Sequence, residues 1–449
     1  MNQIMTQEFA ETIAATVKRE IPILEYVNKE LSDRLESGSG ATVSVLIPNF
    51  GKVSKGASFL ESSNSNVQTL GSIKDLNVQV DKVPVDVQIS KVGAAYDLLE
   101  KTLKLYTQNS QISEPRISNL ARTINAEIFQ CVLTAAHSSI IGPIGFEELA
   151  EAVAYVDESR VGDSNAGMLS PLLNNSIAAS GANKFANVNL ASPDGTDLNL
   201  YKGVLGEWMN VMFFKSADAG SIKLGATQAQ EYAIRGVVNK LQDGANELVL
   251  NNLSFGGSRL TSIPAGTPFI IGSGTPGTPG SITSKYTVSS VYGADTQIMC
   301  TFVALPNKQT PDGSWPINNE SATVEIAPVY LNRVIAGELV SSKAAVPNTY
   351  YTDDNLEPSE MDIICPLLAG AKYALGAVFA SKAIAFASAA PRPFANADST
   401  TTALDGELNI RTSIVTDGRE GMDVWRVECM SGQAALYGAG AVAIYGQIV

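Results

Sequence analysis

Two alternating runs separated by a polar stretch constrain this chain more than anything else in it. Val43, Val45 and Ile47 recur at every second position; Leu76, Val78 and Val80, then Val85, Val87 and Ile89, do so again. A period of two marks a strand with one covered face. Between the runs, Gly51 to Ser72 is dominated by Ser, Gly and Asn, with scattered apolar residues such as Phe59 and Leu60. The pattern predicts a long two-stranded ribbon with a polar tip. Such a ribbon buries too little surface to stand alone in water. It must lie on its own domain or on a neighbouring subunit, unless it is a mobile surface hairpin.

The flanking sequence is helical in pattern. Phe9, Ile13 and Val17 recur every four residues, with Glu8 and Glu11 early and Lys18 and Arg19 late, as the helix dipole favours. After Pro22 a second helical stretch is expected through Leu24, Val27, Leu31 and Leu35, closed by Gly38 and Gly40. Beyond the ribbon, Ala94 to Tyr106 reads as a helix through Leu98, Leu99, Leu103 and Leu105. A longer helix is predicted from an N-cap at Ser113 to about Ala136. Its stripe is Ile117, Leu120, Ala121, Ile124, Ile128, Val132 and Ala135. A straight helix of this length suits a spine across a flat subunit.

From Phe146 the pattern is mixed. A helix through Leu149, Val153 and Val156 precedes a polar stretch, Asn174 to Asp197, and Gly203 to Phe214 has strand character. From Val237 to Pro328, Gly, Pro, Ser and Thr dominate. Short strands are expected at Glu247–Leu250, Pro268–Ile271, Tyr286–Val288, Gln297–Val303 and Thr323–Ile326. Strands at this spacing make a small barrel or sandwich, here inserted between helical α/β segments. Ile363 to Ala387 reads as another apolar helix, and Leu408, Ile410, Ile414, Val415, Val424, Trp425 and Val427 as closing strands.

Chemistry finds little to work with. His137 is the one histidine, at the end of the spine helix, where it is expected as a cap or dipole partner. No phosphate loop or H-E-x-x-H motif occurs. The GAG at Gly438–Gly440 lacks a third glycine and reads as close packing of a late strand. Adjacent acids, Glu147-Glu148 and Asp353-Asp354, read as solvated surface. Cys131, Cys300, Cys365 and Cys429 lie far apart, which suits reduced, buried thiols. The net charge of −14 and the absence of a Lys/Arg run argue against a grip on nucleic acid. Ile363–Ala390 and Met430–Val449 are broken by lysines, or loaded with Gly and Ala, and neither makes a convincing spanning helix.

Several segments resemble coat proteins of tailed phages. Pro264 to Ile271 (PAGTPFII) resembles the strand entry of the telokin-like domain inserted in coat proteins of the phage P-22 type, and Thr323 to Pro328 (TVEIAP) its closing strand. Lys382 to Ala387 (KAIAFA) resembles the segment before the last strands, and Arg426-Val-Glu428 with Gly432 the terminal pattern, with Glu428 where Asp is commoner.

The resemblance implies an α+β, Hong Kong 97-like capsid fold. Its parts would be an N-terminal helical arm (1–40), an extended β-hairpin E-loop (41–93), the spine-helix part of the P-domain (94–145) and an A-domain (146–236 and 329–391). An inserted all-β barrel (237–328) and a C-terminal β part of the P-domain (392–449) complete it.

The same resemblance implies a major capsid protein, not an enzyme, that self-assembles into hexamers and pentamers of an icosahedral shell around double-stranded DNA, with no sequence-specific DNA contact and no membrane. Scaffolding and portal proteins are the implied partners, and no cofactor or metal is expected. Candidate contacts between subunits are Phe9, Ile13 and Val17 in the arm, Lys52, Lys55, Phe59 and Leu60 in the ribbon, and Lys308 and Asp312 in a barrel loop. The competing readings are an encapsulin-like compartment or another structural phage protein of the same fold, a β-rich glycan- or receptor-binding surface protein, and a hydrolase built on carboxylates.

Overall fold

The computed structural model describes residues 21–29, 42–47, 83–88, 90–98, 110–159, 161–162, 165–185, 206–239, 245–273, 283–284, 287–289, 295–330, 360–389, 399–404, 408–417 and 422–448. The chain divides into two compact units. One holds 1–45, 85–131 and 384–436; the other holds 46–84, 132–383 and 437–449.

The ribbon forms where alternation places it. Thr42–Ile47 and Val83–Gln88 pair as a two-stranded sheet. The run Leu76–Val80 and the tip lie outside the described residues, as does the arm helix around Ile13.

Helix α1 spans Ser110–Ala135, which is roughly 39 Å at 1.5 Å per residue. It starts three residues before the expected Ser113 cap. Leu120, Ala121, Ile124 and Ile128 are buried along one stripe, joined by Phe129. Near its end Val132, Leu133 and Ala135 are buried in turn.

The first unit is built on an open antiparallel sheet. Met422–Ala435 is its long central strand, pairing with Asn409–Asp417 over its first half and Ile384–Ala389 over its second. Ser399–Leu404 extends the sheet beyond Asn409–Asp417. On the other side of the central strand lies Ser90–Leu98, paired from Asp423↔Leu98 to Ser431↔Ser90. That strand takes Ala94–Leu98 out of the helix expected over Ala94–Tyr106; the remainder of that stretch lies outside the described residues. A nine-residue register along one partner outweighs helical propensity, because side-chain packing on the sheet decides β-formation.

Of the helix expected through Leu24, Val27, Leu31 and Leu35, the first part is instead a single 3₁₀ turn, Pro22–Tyr26, after which Val27 is extended, and Leu31 and Leu35 lie outside the described residues. The backbone then docks on a strand: Asn28 N–H donates to Ile384 O at 2.9 Å and Asn28 O accepts from Phe386 N at 2.8 Å. Ile23, Leu24 and Val27 are buried by this docking, so their apolar spacing serves an edge contact, not a helix face.

The second unit contains a mixed sheet and a barrel. The sheet runs Ser138–Gly142, Ala441–Ile448, Lys372–Ala380, Asn165–Leu169, Val211–Lys215, Gly206–Trp208, with Ser221–Lys223 paired beside Lys372. Two pairings are parallel, 441–448 with 138–142 and 165–169 with 211–215. Helix α2 (Phe146–Ser159) and helix α3 (Pro171–Phe185) pack on its central strands. Leu173 of α3 reaches so close that a Cβ on Gly446 would stand 2.4 Å from its Cδ1 and one on Gly376 2.7 Å from its Cδ2. Helix α3 lies partly inside the polar stretch Asn174–Asp197; its polar residues Asn175 and Ser176 face solvent while Leu173 and Ile177 are buried.

Between Ser221–Lys223 and Lys372–Ala380 the chain leaves this sheet and builds a closed barrel. Around it run Tyr232–Asn239, Ala245–Ser254, Ala322–Tyr330, Phe302–Ala304, Pro268–Ser273 and Glu360–Leu368, which pairs back to Tyr232–Asn239. Leu248, Leu250, Phe269, Ile271, Val324 and Ile363 are fully or almost fully buried. The expected insertion at 237–328 misses the closing strand, Glu360–Leu368.

The largest correction concerns Ile363–Ala387. It forms three strands in place of one helix: the barrel's closing strand, the sheet's Lys372–Ala380, and Ile384–Ala389 in the other unit. All but Lys372 in the middle strand are buried. A strand covered on both faces reads as a continuous apolar run, and period alone does not separate it from a buried helix. The closing β segment also divides. Ala441–Ile448 leaves the strands before it and joins the sheet of the second unit.

Candidate functional site

The candidate site is a surface feature of the barrel, assembled by one loop and three strands. Two residues expected to contact other subunits, Lys308 and Asp312, fall on the connection from Phe302–Ala304 to the short strand Trp315–Pro316. Both are exposed. The loop is held in shape from inside. Asn307 is buried; its amide Nδ2 donates to Ser314 O at 3.1 Å and its Oδ1 accepts from Gln309 N at 2.9 Å. Thr310 Oγ1 donates to Ser314 O at 2.8 Å. Asp312 accepts from Ser314 Oγ at 2.8 Å and from Ser314 N at 3.2 Å, and these bonds hold its carboxyl below the usual range. Gly313 follows at φ +68°, as the Pro-Asp-Gly turn requires.

Beside this loop the barrel wall carries a groove of about 370 Å³. Its floor is the cross-strand pair Val249↔Thr323 with Ala322. Val249 is 42% exposed. One wall is Trp315 with Pro316. The indole Nε1–H donates to Leu305 O at 2.7 Å, and the backbone of Trp315 pairs with Ile263. The rim is the loop, at Asn307 and Gln309, and a tight turn. Asn318 and Ser321 exchange two 2.9 Å backbone bonds across Asn319 and Glu320, both at positive φ. Sequence reasoning named the loop but missed the groove, since its parts are up to 74 positions apart, from Val249 to Thr323.

The remaining expected contacts, Phe9, Ile13, Val17, Lys52, Lys55, Phe59 and Leu60, lie outside the described residues. The reactive side chains are accounted for by packing. His137 is buried just beyond α1, with its backbone N–H on Gly438 O at 3.2 Å and its carbonyl accepting from Thr301 N at 2.8 Å. Burial holds its pKa down at about 3. It is therefore neutral at pH 7 and cannot act as the cationic dipole partner expected of it. Gly438, in a 3₁₀ turn and not a strand, is the residue that lets it fit: a Cβ there would stand 2.3 Å from His137 Nε2 and from Ala135 O. Glu148 is not idle surface either; its Oε2 accepts from Gly145 N at 2.8 Å, one half of a capping box on α2.

The four cysteines are free thiols. Burial pushes Cys131, Cys365 and Cys429 up to about 12, and Cys300 further in the same direction. Among the described residues no group of His, Cys, Asp and Glu has the arrangement of a metal site. No helix among them is long and apolar enough to cross a membrane.

No family model and no curated protein matches the chain. Among solved structures it is similar to the capsid of Ralstonia phage GP4, at TM-score 0.41 and 8% identity, over 94% of this chain and 87% of that one. It is similar to a structure from Mycobacterium phage Che8, at TM-score 0.38 and 10% identity, over 93% and 89%. It is also similar to a virus-like particle from Pyrococcus furiosus, at TM-score 0.36 and 6% identity, over 98% and 99%.

Proposed function

We propose that this chain is the major capsid protein of a tailed phage, a subunit that assembles with its own copies into an icosahedral shell around double-stranded DNA. The observation that carries the reading is the order of elements. A two-stranded ribbon comes first, then the 26-residue helix α1, then a mixed sheet interrupted by a closed barrel, then a long-stranded antiparallel sheet. That order is the one the sequence resemblance implies for a Hong Kong 97-like subunit with an inserted β domain. The neutral state of the buried His137 and the protonated state of the thiols support a structural role over a catalytic one.

In this reading the work is geometric. The ribbon lies across an adjacent subunit through Lys52, Lys55, Phe59 and Leu60, and the arm latches another through Phe9, Ile13 and Val17. The rigid loop with Lys308 and Asp312 touches a neighbouring capsomer. Scaffolding protein guides assembly, a portal occupies one vertex, and the acidic chain encloses DNA without gripping it.

The test is sedimentation and negative-stain microscopy of the full chain, expressed alone and with a cognate scaffold. Large closed shells are expected; a monomer or dimer under every condition overturns the proposal. Deleting residues 51–72 should leave a soluble subunit that assembles poorly, and a normal shell yield contradicts the role given to the ribbon.

A further inference from the structure

We infer that the groove on the barrel wall is a binding site for a neutral sugar, one or two pyranose rings long. The inference does not depend on the shell, since every residue it uses belongs to the barrel.

Three observations carry it. The first is the indole of Trp315, half-buried and fixed by its bond to Leu305 O and by its strand pairing with Ile263. A ring held in place before the ligand arrives loses little conformational freedom on binding. An aromatic face offers the C–H side of a pyranose an apolar surface, and exposed Val249 extends that surface across the floor. The second is the ring of amides and hydroxyls around it: Gln309, Asn318, Ser321 and Thr323. Each can donate and accept, which is what vicinal sugar hydroxyls demand. The amide of Asn307 is spent on Ser314 and Gln309, so it shapes the rim and does not meet the ligand.

The third is charge. None of the residues lining the groove is ionisable, in a chain of net charge −14. A phosphate, a nucleotide or a peptide terminus finds no counter-charge there, whereas a neutral sugar needs none. The volume of about 370 Å³ lies at the lower end for small-molecule sites, which limits the occupant to one or two rings.

The test is saturation-transfer NMR on the full chain, using maltose, lactose and N,N′-diacetylchitobiose at millimolar concentration as probes, with sialyllactose as the charged control. Transfer to at least one neutral probe, stronger than to sialyllactose, is expected. Trp315→Ala should abolish it. Thr323→Asp and Gln309→Ala, both at exposed positions, should each weaken it about tenfold, a change of about 1.4 kcal/mol. If Trp315→Ala does not fold, those two variants decide. The inference is overturned by no transfer to any neutral probe, by preference for the charged sugar, or by transfer that both exposed variants leave unchanged.

Discussion

The barrel and the open sheet of the other unit solve the same problem differently. The barrel closes on itself through Glu360–Leu368, so its six strands share a continuous ladder and its interior is filled by apolar side chains such as Phe269, Ile271, Leu248 and Val324. The open sheet buries polar groups. Arg411 and Glu428 sit directly opposite one another on adjacent strands, both nearly inaccessible, and their side chains pair. Close by, Ser388 Oγ accepts from Asn409 N at 2.9 Å, and Asn409 Nδ2 donates to Ser388 O at 2.9 Å. A closed apolar barrel gains stability from area and shape. A polar-cored sheet gains uniqueness of register, because any slip strands a charge away from its partner.

This contrast can be broken by experiment. The largest effects are expected from one substitution in each region. Arg411→Ala should destabilise by about 3–5 kcal/mol in denaturant unfolding, since it removes the guanidinium that pairs with the buried Glu428 carboxylate. The double variant Arg411→Met/Glu428→Leu should recover most of that loss. Phe269→Ala should cost a similar amount, about 3–5 kcal/mol, through lost burial and a cavity. If the Arg411/Glu428 double variant is no better than Arg411→Ala, the pair is not what sets that sheet apart.

Gly438→Ala comes next, at about 1–3 kcal/mol, because the new methyl must displace His137 or the end of α1. A neutral measured effect would mean that this junction is looser than its distances state.

Acid sharpens the comparison further. His137 has a folded pKa of about 3 against an ordinary 6.5, so between those values the unfolded chain binds the extra proton. Stability from its burial is present above pH 6.5 and is lost as pH falls toward 3. Replacing it with an uncharged residue, His137→Gln, should flatten the stability-versus-pH curve in that window by up to about 1.4 kcal/mol per pH unit. Urea midpoints at a series of pH values measure this. An unchanged slope would assign the acid response to other groups.

Particular elements show what could be read from residues alone. The ribbon strands were legible because one covered face leaves a period of two, and α1 because a stripe of Leu120, Ile124 and Ile128 admits little else. The loop at Asp312 was legible because Pro-Asp-Gly dictates its own turn. The groove was not, because Trp315, Val249 and Thr323 meet only through strand pairing. Ala94–Leu98 carries a local pattern that fits a helix, and Ile384–Ala389 an apolar run that fits one equally well. Both became strands because Met422–Ala435 offered each of them a partner.

The sequence by itself determined the elements whose pattern is local: alternation, a single-sided helix stripe, turns, and the compositional change that marks the β insertion. Only the tertiary structure decided which runs buried on both faces became strands, where the barrel closes, and why Ala441–Ile448 leaves its neighbours for the other unit. The physical reason is that a period reports how many faces are covered, not what covers them. Pairing between distant segments is settled by the competition among all available partners, and that competition leaves no mark within the segment itself.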